Sequence, residues 1–182
     1  KNAGRFTQYR HDRNNLNSLS NNSVWFVFVC KDGLVWTGTE NGLNSYNKRT
    51  GKFRCYKNQP GNSNSLSSNQ IKAIAEDKEG NLWIGTKNTG MDKFDKKTNT
   101  FINYKHNPNN FNSISHNAIR HLMIDQFNNL WICYDGNSGV DRYNVDTNTF
   151  KHYNYDPKGL NSVSSNDILC SFEDNAGIIW LA

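Results

Sequence analysis

The sequence predicts an all-β fold, a β-propeller fragment of about four four-stranded antiparallel blades, the fourth of them incomplete. Three recurring features support this prediction: a tryptophan within a short apolar run, an S-[LIV]-S-x-N core, and an F-x-x-Y pair. The tryptophans are Trp36, Trp83, Trp131 and Trp180, separated by 47, 48 and 49 residues. The other two features recur with the same three spacings. The chain is therefore built from repeated units of nearly fifty residues.

Each unit contains four short predicted strands, called a to d in chain order. Strand a is apolar (IKAIAED), strand b holds the tryptophan (NLWIGT), strand c follows a glycine (GMDKFD), and strand d holds the F-x-x-Y pair (FINYKH). Turn-forming residues separate them, and no stretch has a helical period. We expect one domain, 1–182, with an outer strand at 4–10, blades at 23–57, 71–105 and 119–153, and the inner strands of a last blade at 168–182. A flat solenoid of the same units is the alternative.

Composition and charge exclude several classes of protein. The net charge of +5 is spread thinly over 182 residues without a basic stripe, so no nucleic-acid partner is expected. The longest apolar run, VWFVFVC, is far shorter than the ~20 residues of a membrane helix, so we expect no membrane contact by this segment. The four cysteines have no C-x-x-C spacing, which favours free thiols over zinc ligands or a disulfide framework: Cys30, Cys55, Cys133 and Cys170.

The stretch SLSSNQIKAIAEDKEGNLWIGTKNTGMDKFDKKTNTFINY resembles the two-component-regulator propeller repeat, and the resemblance extends from about Gly4 to Ala182. That repeat builds the periplasmic sensor region of Bacteroides-type hybrid two-component histidine kinases. The resemblance implies a parent receptor anchored in the inner membrane and a role in carbohydrate sensing. Two departures stand out: Cys30 replaces an aspartate found in the other units, and Cys133-Tyr134 replaces a Gly-Thr pair.

The growing spacing between units is confined to the connection between strands b and c. From the tryptophan to the glycine at the start of strand c (Gly42, Gly90 and Gly139) the distance is six, seven and then eight residues, whereas from that glycine to the following tryptophan it is always 41. Functional loops vary in length more than frameworks do. In a propeller the b–c connections and the long d–a connections emerge at one rim, so we expect a ligand to bind there, at the mouth of the central channel. We interpret the S-[LIV]-S-x-N core of the d–a connections as structural.

The candidate ligand-binding residues lie at this mouth and differ between units. Trp25, Lys72 and Arg120 share one strand-a position. The b–c connections add polar groups that suit a polyhydroxylated ligand: Glu40, Asn41, Lys87, Asn88, Asp135 and Asn137. The repeated mid-strand tryptophans are instead expected to pack between blades: Trp36, Trp83, Trp131 and Trp180.

We expect a non-enzymatic ligand-sensing or interaction module. The sequence contains no G-x-S-x-G, H-E-x-x-H or phosphate-binding glycine loop, so no catalytic residue, metal or cofactor is predicted. Two alternatives stay open: a propeller-type carbohydrate-active lyase or hydrolase, and a protein–protein scaffold. The expected partners are an oligosaccharide, the rest of a longer propeller, and further copies of the chain that associate through exposed blade faces.

Overall fold

The computed structural model describes residues 6–159 and 162–182, which form fourteen β-strands in four antiparallel sheets and no helix. The predicted fold class is confirmed. In each sheet the strands are hydrogen-bonded in chain order, so every strand pairs with its neighbour in sequence. Nothing in these two ranges forms a helix long and apolar enough to cross a membrane.

Three sheets have four strands and the last has two. The first sheet contains β1 (Val24–Val29), β2 (Val35–Thr39), β3 (Gly42–Asn47) and β4 (Lys52–Tyr56). The second contains β5 (Ile71–Glu76), β6 (Leu82–Thr86), β7 (Met91–Asp95) and β8 (Thr100–Tyr104). The third contains β9 (Ile119–Ile124), β10 (Asn129–Tyr134), β11 (Val140–Asn144) and β12 (Thr149–Tyr153). The last contains β13 (Ser171–Glu173) and β14 (Ile179–Leu181).

The described part of the outer strand predicted at 4–10, residues 6–10, forms no strand. Residues 4 and 5 lie outside the described ranges, and residues 6–10 carry no strand pairing. A strand needs a neighbour for its backbone groups, and no strand of the described chain lies beside this segment to provide one. Tyr9 still packs on the first sheet, with its ring centroid 4.8 Å from that of Tyr46 and 5.6 Å from that of Phe53.

Neighbouring sheets approach each other most closely at their first two strands. β1 and β2 lie against β5, β5 and β6 against β9, and β9 and β10 against β13. Small residues permit this approach. A Cβ built on Gly38 would lie 2.8 Å from Ile71, and one built on Gly85 would lie 2.5 Å from the Cγ2 of Ile119. Because the backbones are closest at the inner strands, the sheets diverge outward like the blades of a propeller.

Aromatic side chains fill the widening space between the sheets. Trp36 is 1% exposed, and its ring centroid lies 5.5 Å from that of Tyr56 in its own sheet and 5.8 Å from that of Phe94 in the next. In the second sheet the ring of Trp83 is fully buried and contacts the tyrosines of its own and the following sheet. Trp131 is buried against the last sheet in the same way. Small residues at the centre and large rings outside give each pair of sheets its wedge shape.

A carboxylate at the end of the first strand positions the tryptophan of the second strand. In the second sheet Asp77 accepts the indole N–H of Trp83 at 3.1 Å, and the third and last sheets contain the equivalent pair. The first sheet has Cys30 at this position, and the buried indole nitrogen of Trp36 has no hydrogen-bond partner among the described residues. The departure seen in the sequence therefore removes one repeated hydrogen bond.

The two ends of the stack are open apolar faces. Trp180 was predicted to pack between blades, but it is 59% exposed because no sheet follows the last one in the described chain. Phe172 and Ile178 are exposed beside it. At the other end, Val27 and Val29 of β1 are also exposed.

The long connections between sheets run down the outer edge of the stack. The connection before the first sheet reaches β4, where the Asn17 carbonyl accepts the Phe53 N–H at 3.0 Å. The connection before the second sheet reaches β8 through a bond from the Phe101 N–H to the Asn64 carbonyl, 3.2 Å long. These bonds satisfy backbone N–H groups of the edge strands that would otherwise have no partner in the sheet. The middle portions of these connections therefore lie along the outer edge strands, away from the rim at which the connections emerge.

Replacing Gly85 with Ala should lower the free energy of unfolding by about 1–3 kcal/mol, because the new methyl group overpacks against Ile119. Ile119→Ala alone should cost about 2–5 kcal/mol by leaving a cavity. In the double variant the methyl group enters the vacated space, so its cost should be smaller than the sum of the two. Urea unfolding monitored by tryptophan fluorescence measures all three. Additive costs would mean that these positions are not in contact.

Candidate functional site

One extra residue interrupts the first strand of each four-stranded sheet, at the end from which the b–c connection emerges. The pairing of β1 with β2 skips Trp25, that of β5 with β6 skips Lys72, and that of β9 with β10 skips Arg120. In the last sheet the N–H groups of Leu169 and Cys170 both donate to one carbonyl, at 2.6 and 3.2 Å. Such β-bulges redirect the side chain of the extra residue. The three residues that were selected because they differ between repeats, Trp25, Lys72 and Arg120, are therefore also the extra residues of the bulges.

A backbone hydrogen bond fixes each b–c connection beside the bulge of its sheet. The first residue after the second strand donates its N–H to the carbonyl of the residue that precedes the first strand. These bonds are Glu40 to Ser23 at 3.1 Å, Lys87 to Gln70 at 3.0 Å, and Asp135 to Ala118 at 2.9 Å. Each sheet thus presents a bulge residue and a connection residue side by side, on an identical backbone frame. We call the predicted ligand-binding residues on this frame the mouth.

Four mouth side chains meet in pairs. The Lys72 ammonium nitrogen lies 4.2 Å from the centroid of the Trp25 ring, a cation–π contact that joins the first and second sheets. Arg120 donates a hydrogen bond of 2.9 Å to the Asp135 carboxylate, and the two side chains are 45% and 38% exposed. Exposed ion pairs contribute about 1 kcal/mol or less, so this pair can open at small cost.

The other predicted mouth residues form no ion pair and no cation–π contact within the described ranges. Their side chains make no hydrogen bond to any residue in the described ranges: Glu40, Asn41, Lys87, Asn88 and Asn137. All are exposed except Asn41, which is half-buried. Their polar groups are available to a ligand without loss of an internal hydrogen bond.

A polar residue on the third strand of each four-stranded sheet holds the core of the preceding long connection. In the second sheet the buried Asp92 carboxylate accepts hydrogen bonds from both the backbone N–H and the hydroxyl of Ser67, each 3.0 Å long. In the first sheet Asn44 holds Ser20 similarly. The apolar residue of the core is buried beneath, as Leu66 shows. These contacts agree with the interpretation of the S-[LIV]-S-x-N core as structural.

The third sheet extends this arrangement into a cluster around the buried Asp141. Its carboxylate accepts hydrogen bonds from the Ser115 hydroxyl at 2.7 Å, from Nδ1 of His152 at 2.7 Å, and from the Tyr134 hydroxyl. Nε2 of His152 lies 2.7 Å from the Phe111 carbonyl. Both ring nitrogens therefore face acceptors, which favours the imidazolium form. The hydrogen bond to Asp141 raises the pKa of His152 to about 9.

This serine, histidine and aspartate do not form a catalytic triad. In a triad, the carboxylate and the serine hydroxyl bond to opposite nitrogens of the imidazole. Here Asp141 and Ser115 both approach Nδ1 of His152, at 2.7 and 3.0 Å, while Nε2 is engaged by a carbonyl. We therefore assign the cluster to positioning of the long connection that carries Ser115.

An open cleft of about 390 Å³ lies beside this cluster, between the connection 105–117 and the third sheet. Its lining includes His106, Asn110, Phe111, Ser138, His152 and Asn154. The sequence analysis did not select this region. The signals that could have indicated it are departures from the repeat. His152 stands where the first two sheets have Cys55 and Asn103, and Tyr134 stands where they have threonine.

The described ranges contain no candidate metal centre, and burial keeps two of the cysteines protonated. No three His, Cys, Asp or Glu side chains in residues 6–159 and 162–182 are grouped to hold a metal ion. The four cysteines are free thiols. Burial raises the pKa of Cys30 and of Cys133 to about 12, so neither forms a nucleophilic thiolate at neutral pH.

Antiparallel sheets that fan outward from their inner strands, with variable polar residues at one mouth, define a β-propeller fragment with a candidate ligand site. Residues 65–88 match the family described as two component regulator propeller. The match runs from the serine core that precedes the second sheet through Trp83, so it covers two of the three recurring features seen in the sequence. That recognition is confirmed. No curated protein sequence matches the chain significantly.

Solved structures of extracellular receptor domains contain a similar stack of sheets. The extracellular domain of the hybrid two-component system BT3049 from B. thetaiotaomicron is similar over 90% of this chain, with 26% identity and a TM-score of 0.76. That of system BT4673 from the same bacterium is similar over 91%, with 27% identity and a TM-score of 0.71. This chain covers 22% and 21% of those two domains, about a fifth of their length.

The fold also occurs in an enzyme. Virginiamycin B lyase from Staphylococcus aureus is similar over 87% of this chain and 48% of its own, with 17% identity and a TM-score of 0.63. At that identity the likeness concerns the fold alone.

His152→Asn should remove a pH dependence of stability from the protein. Because the folded pKa of about 9 exceeds the usual 6.5, protonated His152 stabilises the fold fully below pH 6.5, and this contribution is lost as the pH rises through 9. The loss should be about 1–3 kcal/mol, reduced by the partial exposure of the ring. Asparagine should retain the bond to the aspartate, as Asn103 does with Asp92 at 3.0 Å.

Urea unfolding at pH 6, 7.5 and 9 measures this effect, and His106→Asn is the matched control because His106 bonds a backbone carbonyl and no carboxylate. A wild-type stability that does not fall over this range, or an equal fall in His152→Asn, would contradict the assignment.

Proposed function

We propose that this chain forms part of the extracellular sensor region of a hybrid two-component receptor, where it supplies a ligand-binding or interaction surface and no catalysis. The similarity of its stacked sheets to receptor ectodomains, over 90% of the chain at 26% identity, is the observation that supports this most. The chain covers 22% of that ectodomain. The rest of a longer propeller is therefore its proposed immediate partner.

The proposal locates the chain in the periplasm. Its relatives with similar sheets are extracellular domains, and the resemblance of its repeat implies a parent receptor anchored in the inner membrane. The kinase of such a receptor would lie in another part of the protein, across that membrane.

An oligosaccharide from glycan breakdown is the ligand class that the mouth suits best. An indole ring offers an apolar surface to the carbon–hydrogen face of a sugar ring, and Trp25 stands at the mouth. Each sugar hydroxyl is both donor and acceptor, so it can pair with ammonium, guanidinium, carboxylate or amide groups. Lys72, Arg120, Asp135 and Glu40 provide such groups on a frame whose backbone is the same in each sheet.

Ligand binding would act on the contacts between neighbouring sheets. The Lys72–Trp25 contact joins two sheets, so a ligand that engages either side chain changes an interaction across their boundary. Opening the exposed Arg120–Asp135 pair would free a planar guanidinium for bidentate hydrogen bonds. A ligand shifts a receptor between two arrangements only as far as it binds one of them more tightly.

The two alternatives, an enzyme and a scaffold, require different properties of the mouth. A lyase or hydrolase needs titratable groups that are free to exchange a proton with the substrate. The acid and base that the described residues bring together, Asp141 and His152, are both fully hydrogen-bonded within the protein. A scaffold needs no ligand at all. This bonding favours a sensor over an enzyme that would use this pair, and ligand binding is the property that separates a sensor from a scaffold.

Trp25→Ala and Lys72→Ala, made in the complete receptor ectodomain, should each weaken oligosaccharide binding by about tenfold, because each removes a direct contact at the mouth. Isothermal titration calorimetry with a panel of defined oligosaccharides measures the Kd. Lys97→Ala is the control, since Lys97 is exposed in the turn between β7 and β8, at the other end of the strands. Saturable heat without turnover supports the sensor. Substrate turnover would establish an enzyme, and the absence of heat with every sugar would favour a scaffold.

A further inference from the structure

The cleft of about 390 Å³ beside the Asp141 cluster is complete within the described chain. One wall is the connection 105–117, and the other is the third sheet with Ser138 of its b–c connection. One described sheet precedes the third sheet and another follows it, so the shape of the cleft does not depend on either end of the stack. Its volume lies within the range of about 300–1,000 Å³ that is usual for ligand pockets.

The tip of the connection presents an exposed aromatic ring on a fixed backbone. Phe111 lines the cleft and is 92% exposed. Its carbonyl accepts a hydrogen bond of 2.7 Å from Nε2 of His152. The next residue, Asn112, accepts the Phe150 N–H at 2.9 Å and donates to the Asn148 carbonyl at 3.0 Å. Because the backbone is tied to the sheet at both residues, little entropy would be lost when a ligand stacks on the ring.

Polar groups without an internal partner line the same cleft. Nδ1 of His106 lies 2.7 Å from the Ile114 carbonyl. A carbonyl only accepts, so Nδ1 carries a proton and Nε2 of the neutral ring is an acceptor. This Nε2 makes no hydrogen bond within residues 6–159 and 162–182, and the same holds for four further groups: the amide nitrogens of Asn107 and Asn110, the hydroxyl of Ser138 and the side chain of Asn154. A ligand can use these groups without breaking a bond inside the protein.

The equivalent groups of the second unit are bonded to one another. The Asn62 amide donates to the side-chain carbonyl of Gln59 at 2.7 Å. The hydroxyl of Thr89, the residue before the strand-c glycine, lies 2.9 Å from the Ser67 hydroxyl and 2.8 Å from that of Thr86. These bonds use the groups that are free in the third unit.

Three substitutions make the third unit different. Asn107 replaces the glutamine with a side chain one methylene shorter, and the Asn110 amide makes no bond to it. Tyr134 replaces the threonine and directs its hydroxyl to the buried aspartate of the cluster, which leaves Ser138 without that partner. Phe111 replaces a serine and supplies the ring. Free polar groups and an exposed aromatic ring therefore occur together in this unit.

The charges that line the cleft are balanced. Its titratable side chains are His106 and His152. The imidazolium of His152 is paired with the Asp141 carboxylate, with Nδ1 at 2.7 Å from the carboxylate oxygen. An acidic ligand would find no unpaired cation among the lining residues, whereas an uncharged polar ligand would lose no ionic interaction on entering.

We propose that this cleft binds an uncharged sugar ring, with one face stacked on Phe111 and its hydroxyls paired with the free polar groups of the lining. An aromatic ring offers an apolar surface to the carbon–hydrogen face of a sugar. Each sugar hydroxyl both donates and accepts, so it can pair with amide, hydroxyl and imidazole groups. The inference rests on the proposed function for the class of ligand, but it adds a second site, on the outer side of the third sheet and separate from the mouth.

Hydrogen–deuterium exchange of the complete receptor ectodomain tests this site separately from the mouth. The neutral probes are cellotetraose, xylotetraose and mannotetraose, and tetragalacturonic acid is the charged comparison. A neutral sugar should slow the exchange of residues 105–117, and Phe111→Ala should abolish that protection without affecting protection at the mouth. Calorimetry with the same sugars should show a Kd for the cleft that Phe111→Ala raises about tenfold. Ser138→Ala, which removes one hydrogen bond to the sugar, should raise it roughly two- to tenfold.

Leu16→Ala is the matched control, because Leu16 has the position of Phe111 in the first long connection and is also 92% exposed. It should leave both the protection and the Kd unchanged. A sugar that protects the mouth but not residues 105–117 would overturn the second site and leave the proposed function intact. Protection of residues 105–117 by tetragalacturonic acid alone would overturn the uncharged class of ligand. The absence of binding by every sugar would contradict both the second site and the proposed function.

Discussion

The close approach of neighbouring sheets at their inner strands is the constraint on which the rest of this structure depends. Gly38 and Gly85 permit that approach, because any Cβ at either position would overlap the isoleucine of the following sheet. Sheets that meet at one edge must diverge at the other, and the space between them needs side chains of increasing size. Tryptophan and tyrosine fill it, and a buried aspartate positions the indole rings of Trp83 and Trp131. The wedge shape, and with it the propeller, follows from this gradient of residue size.

The same packing separates the frame of the candidate site from its chemistry. Bulges at one position, and one backbone bond from each b–c connection, place the mouth residues equivalently in successive sheets. The bulge residue changes from Trp25 to Lys72 to Arg120 in successive sheets, while the packing between the sheets stays the same. The cluster around Asp141 shows the same pattern. The long connection before each sheet is held by Asn44 in the first sheet, by Asp92 in the second, and by Asp141 together with His152 in the third. Variation is tolerated where the backbone already determines the geometry.

The strands were predictable from the sequence because burial between sheets requires the same residues at each repeat, so that Trp83 and its equivalents mark every unit. Features that depend on a neighbour in space were not. In the described chain, residues 6–10 of the strand expected at 4–10 have no adjacent strand, and no sheet follows Trp180. The path of the long connections depends on hydrogen bonds to a distant edge strand. The role of His152 depends on Asp141, eleven residues away in sequence and on the adjacent strand. The alternation of apolar and polar residues within one strand does not indicate contacts between segments that are distant in sequence.

Nuclear Overhauser spectroscopy tests the packing between sheets most directly. The Trp83 ring lies equally far, 5.3 Å between centroids, from Tyr104 in its own sheet and from Tyr143 in the next. Cross-peaks from the Trp83 indole to both tyrosine rings, and from Gly85 to the Ile119 methyl groups, are the predicted result. Cross-peaks to Tyr104 without those to Tyr143 and Ile119 would show that the sheet forms but does not stack on its neighbour, which would contradict the structure described above.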